Sequence, residues 1–241
     1  SIYAAATLIS SFTLIWLGKK IDDIKLLYFS LFVIFLLFIS SLFFSFINTI
    51  YLLFFGIFLL RLSGQGLMSH TATTAISRYF DQRRGKSLST AWLGLSSAEF
   101  ILPITIVFFL TIYSWRSIWL TIAILVILFL PLISFLMIKD LTLYSREKSK
   151  SEIKKNNNIK NWSRKEVILD PKFYILSLTM LSMPWITTGV FVYQSFIAES
   201  KNWGDFVIAQ SFMYYSILSV LTLFVSGFLV DKFTSRKLLP Y

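Results

Sequence analysis

Apolar runs of about 20 residues recur along this chain. A run of that length spans a hydrocarbon layer of roughly 30 Å as one helix, and no short soluble element needs it. Seven such spans are expected: about 1–17, 26–47, 50–77, 88–113, 118–138, 173–197 and 208–230. The composition fits the same setting. The chain is 56% hydrophobic and 18% aromatic, with 25 Phe and only 15% charged residues, and its mean hydropathy is +0.71. A soluble domain of this size carries more charge and broken apolar runs. An all-α membrane protein with several spans is the expected class.

The net charge of +11 could suggest nucleic acid, but its placement argues for membrane topology. The turns after the second, fourth and sixth spans contain only Arg116 and Lys201 as basic residues. All the remaining Lys and Arg, apart from Arg61, lie in the alternate loops. The positive-inside rule makes those loops cytoplasmic, so the chain begins outside. An integral, multi-pass protein of the plasma (inner) membrane is expected, with the lipid bilayer as a partner and no nucleic acid. Cys is absent and there is a single His, which excludes disulfides and makes a metal site or other cofactor an unpromising reading. No phosphate-binding loop and no nucleophile–base set occurs, so an enzyme is not expected.

The stretch from Arg61 to Pro103 departs from the lipid-facing pattern. Arg61, Gln65, Ser69, Thr73 and Ser77 form a polar row at helical spacing, with Gly66, His70, Thr74 and Arg78 beside it. A basic loop follows, and the next span carries Ser89, Trp92, Ser96, Glu99 and Pro103 along one face. Arg61 and Glu99 each lie about 11 residues into their spans, roughly 17 Å at 1.5 Å per residue, so both fall near mid-bilayer. A charge there costs about 3 kcal/mol on the lenient scale, which requires a partner or a watery cavity. Arg61, Gln65 and Ser69 are candidates for binding an anionic solute, since guanidinium matches a carboxylate bidentately. Glu99 is the candidate proton-coupling acid, exchanging its proton as a pairing with Arg61 forms and breaks. A static buried ion pair is the competing reading. His70 is either a second proton carrier or a helix–helix hydrogen-bond partner. Nine residues from Arg61, it is expected on the opposite side of an α-helix.

The sixth span offers Thr187, Thr188 and Gln194 as further substrate-facing candidates. Pro184 and Gly189 are expected to bracket a break whose freed backbone lines the site; a kinked helix with hydroxyls bonded to its own backbone is the alternative. The stretch 139–172 is polar and basic and reads as a solvated linker. Trp115, Trp119, Trp203 and Tyr241, near span ends, read as interface anchors.

Two short motifs repeat at the cytoplasmic ends of the first and last spans. Gly18-Lys19-Lys20-Ile21-Asp22 and Gly227-Phe228-Leu229-Val230-Asp231 each place Asp four residues after Gly, and Lys232, Arg236 and Lys237 follow the second. A loop motif of this kind once per half is expected of two-bundle transporters. GFLVDKFTSRK resembles the cytoplasmic loop signature of the major facilitator superfamily, with Thr234 where a second Gly is usual. GKKIDDI is similar to a degraded first-half copy. Arg61-Leu62-Ser63-Gly64-Gln65-Gly66 resembles the Arg-x-x-x-Gly motif of that family's fourth helix, SRYFDQRRGKSLS the loop before its fifth, and SWRSIW the start of its sixth.

That resemblance implies a partial chain covering helices two to eight of a twelve-helix transporter. Residues 1–138 would be the N-terminal bundle without its first helix, 139–172 the linker between bundles, and 173–241 the first two helices of the C-terminal bundle. It implies alternating access, a small-molecule substrate, proton coupling and a monomer. The SRYFDQRRGKSLS region leans toward the monocarboxylate and oxalate–formate branch, although the span 208–230 lacks the charged residue expected there. The glycine-rich fifth-helix motif of many antiporters is also missing. A complete seven-helix receptor or sensor is the alternative, and the last span lacks the mid-helix Lys that a retinal protein would want.

Overall fold

A computed structural model describes residues 2–79, 84–152 and 164–233. The described elements are helical: α1 (Ile2–Gly18), α2 (Lys20–Asp23), α3 (Leu26–Ser45), α4 (Ile50–Leu60), a π-helical segment (Arg61–Met68), α5 (Ser69–Tyr79), α6 (Arg84–Leu110), α7 (Trp115–Glu152), α8 (Arg164–Leu169), α9 (Pro171–Lys201) and α10 (Asp205–Phe233). α4, the π segment and α5 form one continuous rod. Among the described residues, seven helices are long and apolar enough to cross a membrane: Ile2–Asp23, Leu26–Ser45, Ile50–Ile76, Ser87–Leu110, Trp115–Ile138, Pro171–Lys201 and Phe206–Val225. Each falls on one of the seven expected spans.

The ends follow from local chemistry. The hydroxyl of Thr49 accepts from the Leu52 N–H and caps α4. Asp170 does the same for α9, accepting from Lys172 N–H, with Pro171 at the first helical position. α9 stops at Asn202, in the left-handed region at φ 53°, a conformation that Asn tolerates.

α3 lies against α7 and against the α4–π–α5 rod, and α1 packs on that same rod. Ile21, Leu26, Phe29, Val33, Leu62 and Leu67 are buried together at this junction. Hydroxyl pairs tie the helices where the core is apolar: Ser40 to Ser63 at 3.0 Å and Ser30 to Ser134 at 2.9 Å. At the opposite end, the Arg116 guanidinium donates to the Ile47 carbonyl at 3.1 Å and stacks on Trp115. Trp119 packs on Phe44, with centroids 4.6 Å apart. α10 has α6 as its main partner, while α9 makes few contacts beyond α8 and α10. Large apolar side chains cover the outside, Phe12 at 72% and Trp185 at 82% exposed among them, as suits a surface meeting lipid rather than water.

Two expectations are corrected. α9 runs unbroken from Pro171 to Lys201 with Pro184 inside it, so Pro184 and Gly189 do not bracket a break; the helix absorbs the one donor that Pro lacks. The linker does not begin as loop after Ile138, because α7 continues to Glu152 and α8 takes up Arg164–Leu169. Its run of Lys, Glu and Ser supports helix as readily as coil once a preceding helix removes the cost of nucleation.

Candidate functional site

The polar rod is built around its π-helical middle. A π-helix pairs residue i with i+5, so its turn is wider than that of an α-helix and residues four apart stay nearly in line. The i+4 row Arg61, Gln65, Ser69 therefore drifts less than the about 40° per step of an α-helix. Gly66 sits five residues after Arg61, and a Cβ there would meet the Arg61 carbonyl at 3.2 Å and the Leu14 methyls at 3.3 Å. A larger residue would crowd both the wide turn and the approach of α1.

The wider turn changes which residues share a face. Arg61 lies with its guanidinium 4.7 Å from the centroid of the Tyr3 ring on α1, a cation–π geometry. His70 Nε2 lies 3.2 Å from the carbonyl oxygen of Gly18, the last residue of α1. Arg61 and His70 therefore both face α1, contrary to the opposite sides expected of nine α-helical residues. The π turns between them remove the missing rotation. Tyr3 was not among the sequence candidates; it lies in another span, and no local pattern links it to Arg61.

Gln65 and Ser69 are exposed. Neither side chain bonds another described residue. Ser63, one row over, is fully buried against Ser40 and also donates to the Leu59 carbonyl. Arg61 stands near the middle of Ile50–Ile76 and Glu99 near the middle of Ser87–Leu110. Glu99 is half-buried and bonds no other described residue. α6 packs on α10 while the π segment packs on α1 and α3. The pairing of Arg61 with Glu99 expected of one conformation is thus absent among the described residues of this one.

At the end of the rod bearing the basic loops, a cavity of about 350 Å³ lies between α1, α2 and α5, lined by Gly18, Lys19, Asp22, His70 and Thr74 among others. Gly18 is buried, and a Cβ on it would touch the His70 ring at 3.4 Å. Asp22 falls in the first turn of α2, where the N–H groups favour an acid. Of the second motif, Gly227, Asp231 and Lys232 belong to α10, but their side chains lie outside the described residues, as do Arg236 and Lys237 entirely.

On α9, Thr187 is half-buried and Thr188 exposed. Gln194 lines two cavities, of about 550 Å³ and 180 Å³. No group of three or more potential metal ligands occurs among the described residues.

Seven membrane-length helices and a mid-span Arg among the described residues define a polytopic membrane protein. The family model of the Major Facilitator Superfamily matches residues 1–241, and the chain belongs to that superfamily. A search of curated proteins and a search of solved structures each found no match. Members of the superfamily are membrane transporters that move small solutes, not enzymes. The seven-helix receptor is not favoured.

Proposed function

We propose that this chain serves secondary active transport of a small organic anion of the monocarboxylate type, by alternating access and with protons as the coupling ion. The observation that carries this reading is Arg61: a guanidinium near mid-span, stacked on Tyr3 and with no carboxylate partner among the described residues. A permanent charge held there without a counter-ion among the described residues suits a site whose counter-ion is the solute. Gln65 and Ser69 offer hydrogen bonds on the exposed side of the same rod, and Thr187, Thr188 and Gln194 do so from α9.

Glu99 is the proton-coupling acid in this reading, half-buried at mid-span and unengaged by other described side chains. His70 assists by holding or releasing the end of α1. The motifs around Gly18–Asp22 and Gly227–Lys237 guide the conformational change, with the basic loops on the cytoplasmic side of the plasma membrane. The transporter works as a monomer on its solute and on protons, without a cofactor.

The test is uptake of labelled monocarboxylates by proteoliposomes holding the purified protein, with and without an inward proton gradient. Uptake stimulated by the gradient and abolished by Arg61→Gln is the expected result. Uptake indifferent to both would overturn the reading.

A further inference from the structure

The larger of the two cavities at Gln194 opens between α6, α9 and α10 at their ends away from the basic loops. Its walls include Pro103, Ile106, Val107, Phe206 and Phe212. The smaller one shares Gln194, Ile208 and Phe212 and adds Trp203 and Tyr215. No carboxylate, ammonium or guanidinium group of a described residue lines either cavity. At about 550 Å³ the larger falls within the usual range of small-molecule sites, which are mostly apolar with a few placed polar groups.

The cavity lies close to Glu99 along α6. Glu99 lies four residues before Pro103 on α6, about 6 Å along the axis. Beyond Glu99 the seam between α6 and α10 buries Ser96 and Ser216, at 5% and 1% exposed, and the same two residues line a further cavity of about 300 Å³. A solute in the larger cavity would rest one helical turn from Glu99.

We propose that this cavity takes the uncharged, apolar body of the transported solute, with the Gln194 amide as its main polar contact. The substrate class is then an organic acid with an alkyl or aryl body of several carbons, in preference to a short hydrophilic acid. A charged group would lose its hydration against these walls without gaining a counter-charge, whereas each added methylene gains by leaving water. The proposal rests on organic-anion transport as read above, and the test separates the two.

Binding to the purified protein in nanodiscs is measured for the straight-chain acids from acetate to octanoate and for the matching neutral amides. Empty nanodiscs give the background from partition into lipid. Affinity is expected to rise about fourfold per methylene in both series until the cavity fills. Ala209→Phe, which adds a ring to the cavity wall, should flatten that rise. Gln194→Leu keeps side-chain size and should weaken both series about threefold to tenfold while leaving the slope intact.

No dependence on chain length in the unaltered protein overturns the proposal. So does a slope that neither variant changes, because the apolar body then binds elsewhere. Acids that bind better than amides, with no slope, leave the anion reading standing and remove this one. A slope in both series with acids binding no better than the matching amides leaves this proposal standing and removes the anion reading.

Discussion

His70 Nε2 lies 3.2 Å from the Gly18 carbonyl oxygen, across a separation of 52 positions in sequence. That oxygen belongs to the last turn of α1, where carbonyls have no partner within their own helix. The imidazole supplies one from α5.

Replacing His70 by Ala removes that partner. Hydrogen bonds between membrane helices contribute about 0.6 to 1.7 kcal/mol. His70→Ala should lower the unfolding free energy by about 1 kcal/mol in a detergent titration, and His70→Gln, which can still donate, by less. Equal losses for both variants would show that the ring acts by packing on Gly18 and not by hydrogen bonding.

The two glycines of the π segment should respond differently to Ala. At Gly64 a Cβ would meet only the Leu37 methyl, at 3.5 Å, an ordinary contact, and Ala favours helix by about 1 kcal/mol. At Gly66 it would press on the Arg61 carbonyl at 3.2 Å and on Leu14 at 3.3 Å. Thermal midpoints should rise or hold for Gly64→Ala and fall for Gly66→Ala. The reverse order would mean that the wide turn does not require Gly66.

Arg61→Lys keeps the charge but loses the paired donors and much of the stacking on Tyr3. Uptake of a carboxylate should fall about tenfold, an effect of about 1.4 kcal/mol, and Arg61→Gln should fall further. Tyr3→Leu should cost about 0.5 to 2 kcal/mol of stability, because the cation loses its ring. Wild-type uptake in Arg61→Lys would show that charge alone recognises the solute.

Glu99→Gln removes an exchangeable proton while preserving size and hydrogen-bonding capacity. Uptake by the unaltered protein should increase as the pH falls on the side the solute leaves, and the variant should lose that dependence while remaining folded. A pH profile unchanged in Glu99→Gln would assign the proton to another group.

The Ser30–Ser134 contact, 2.9 Å between α3 and α7, is suited to a double-mutant cycle with Ala. A coupling of about 0.6 kcal/mol is expected. A value near zero would leave the α3–α7 contact to packing alone.

The spans were legible because the bilayer sets one length scale and the chain repeats it, from Leu26–Ser45 to Phe206–Val225. The mid-span positions of Arg61 and Glu99 followed from counting residues. Their surroundings did not. Counting assumed 3.6 residues per turn, and the π segment breaks that assumption between Arg61 and His70. Tyr3 became the neighbour of Arg61 through tertiary packing, for which the sequence has no local signal. The polar stretch after Ile138 misled in another way. Solubility and helicity are independent properties, and its residues supply both.

The π segment leaves Ile50–Leu60 and Ser69–Tyr79 as two rods geared together through a joint wider than either. A residue taken out of such a joint turns one rod against the other while the hydrogen bonding within both stays whole. A one-residue deletion between Arg61 and Met68 is therefore a change of phase. It would swing His70 and Thr74 away from α1 and leave Gly56 where it is.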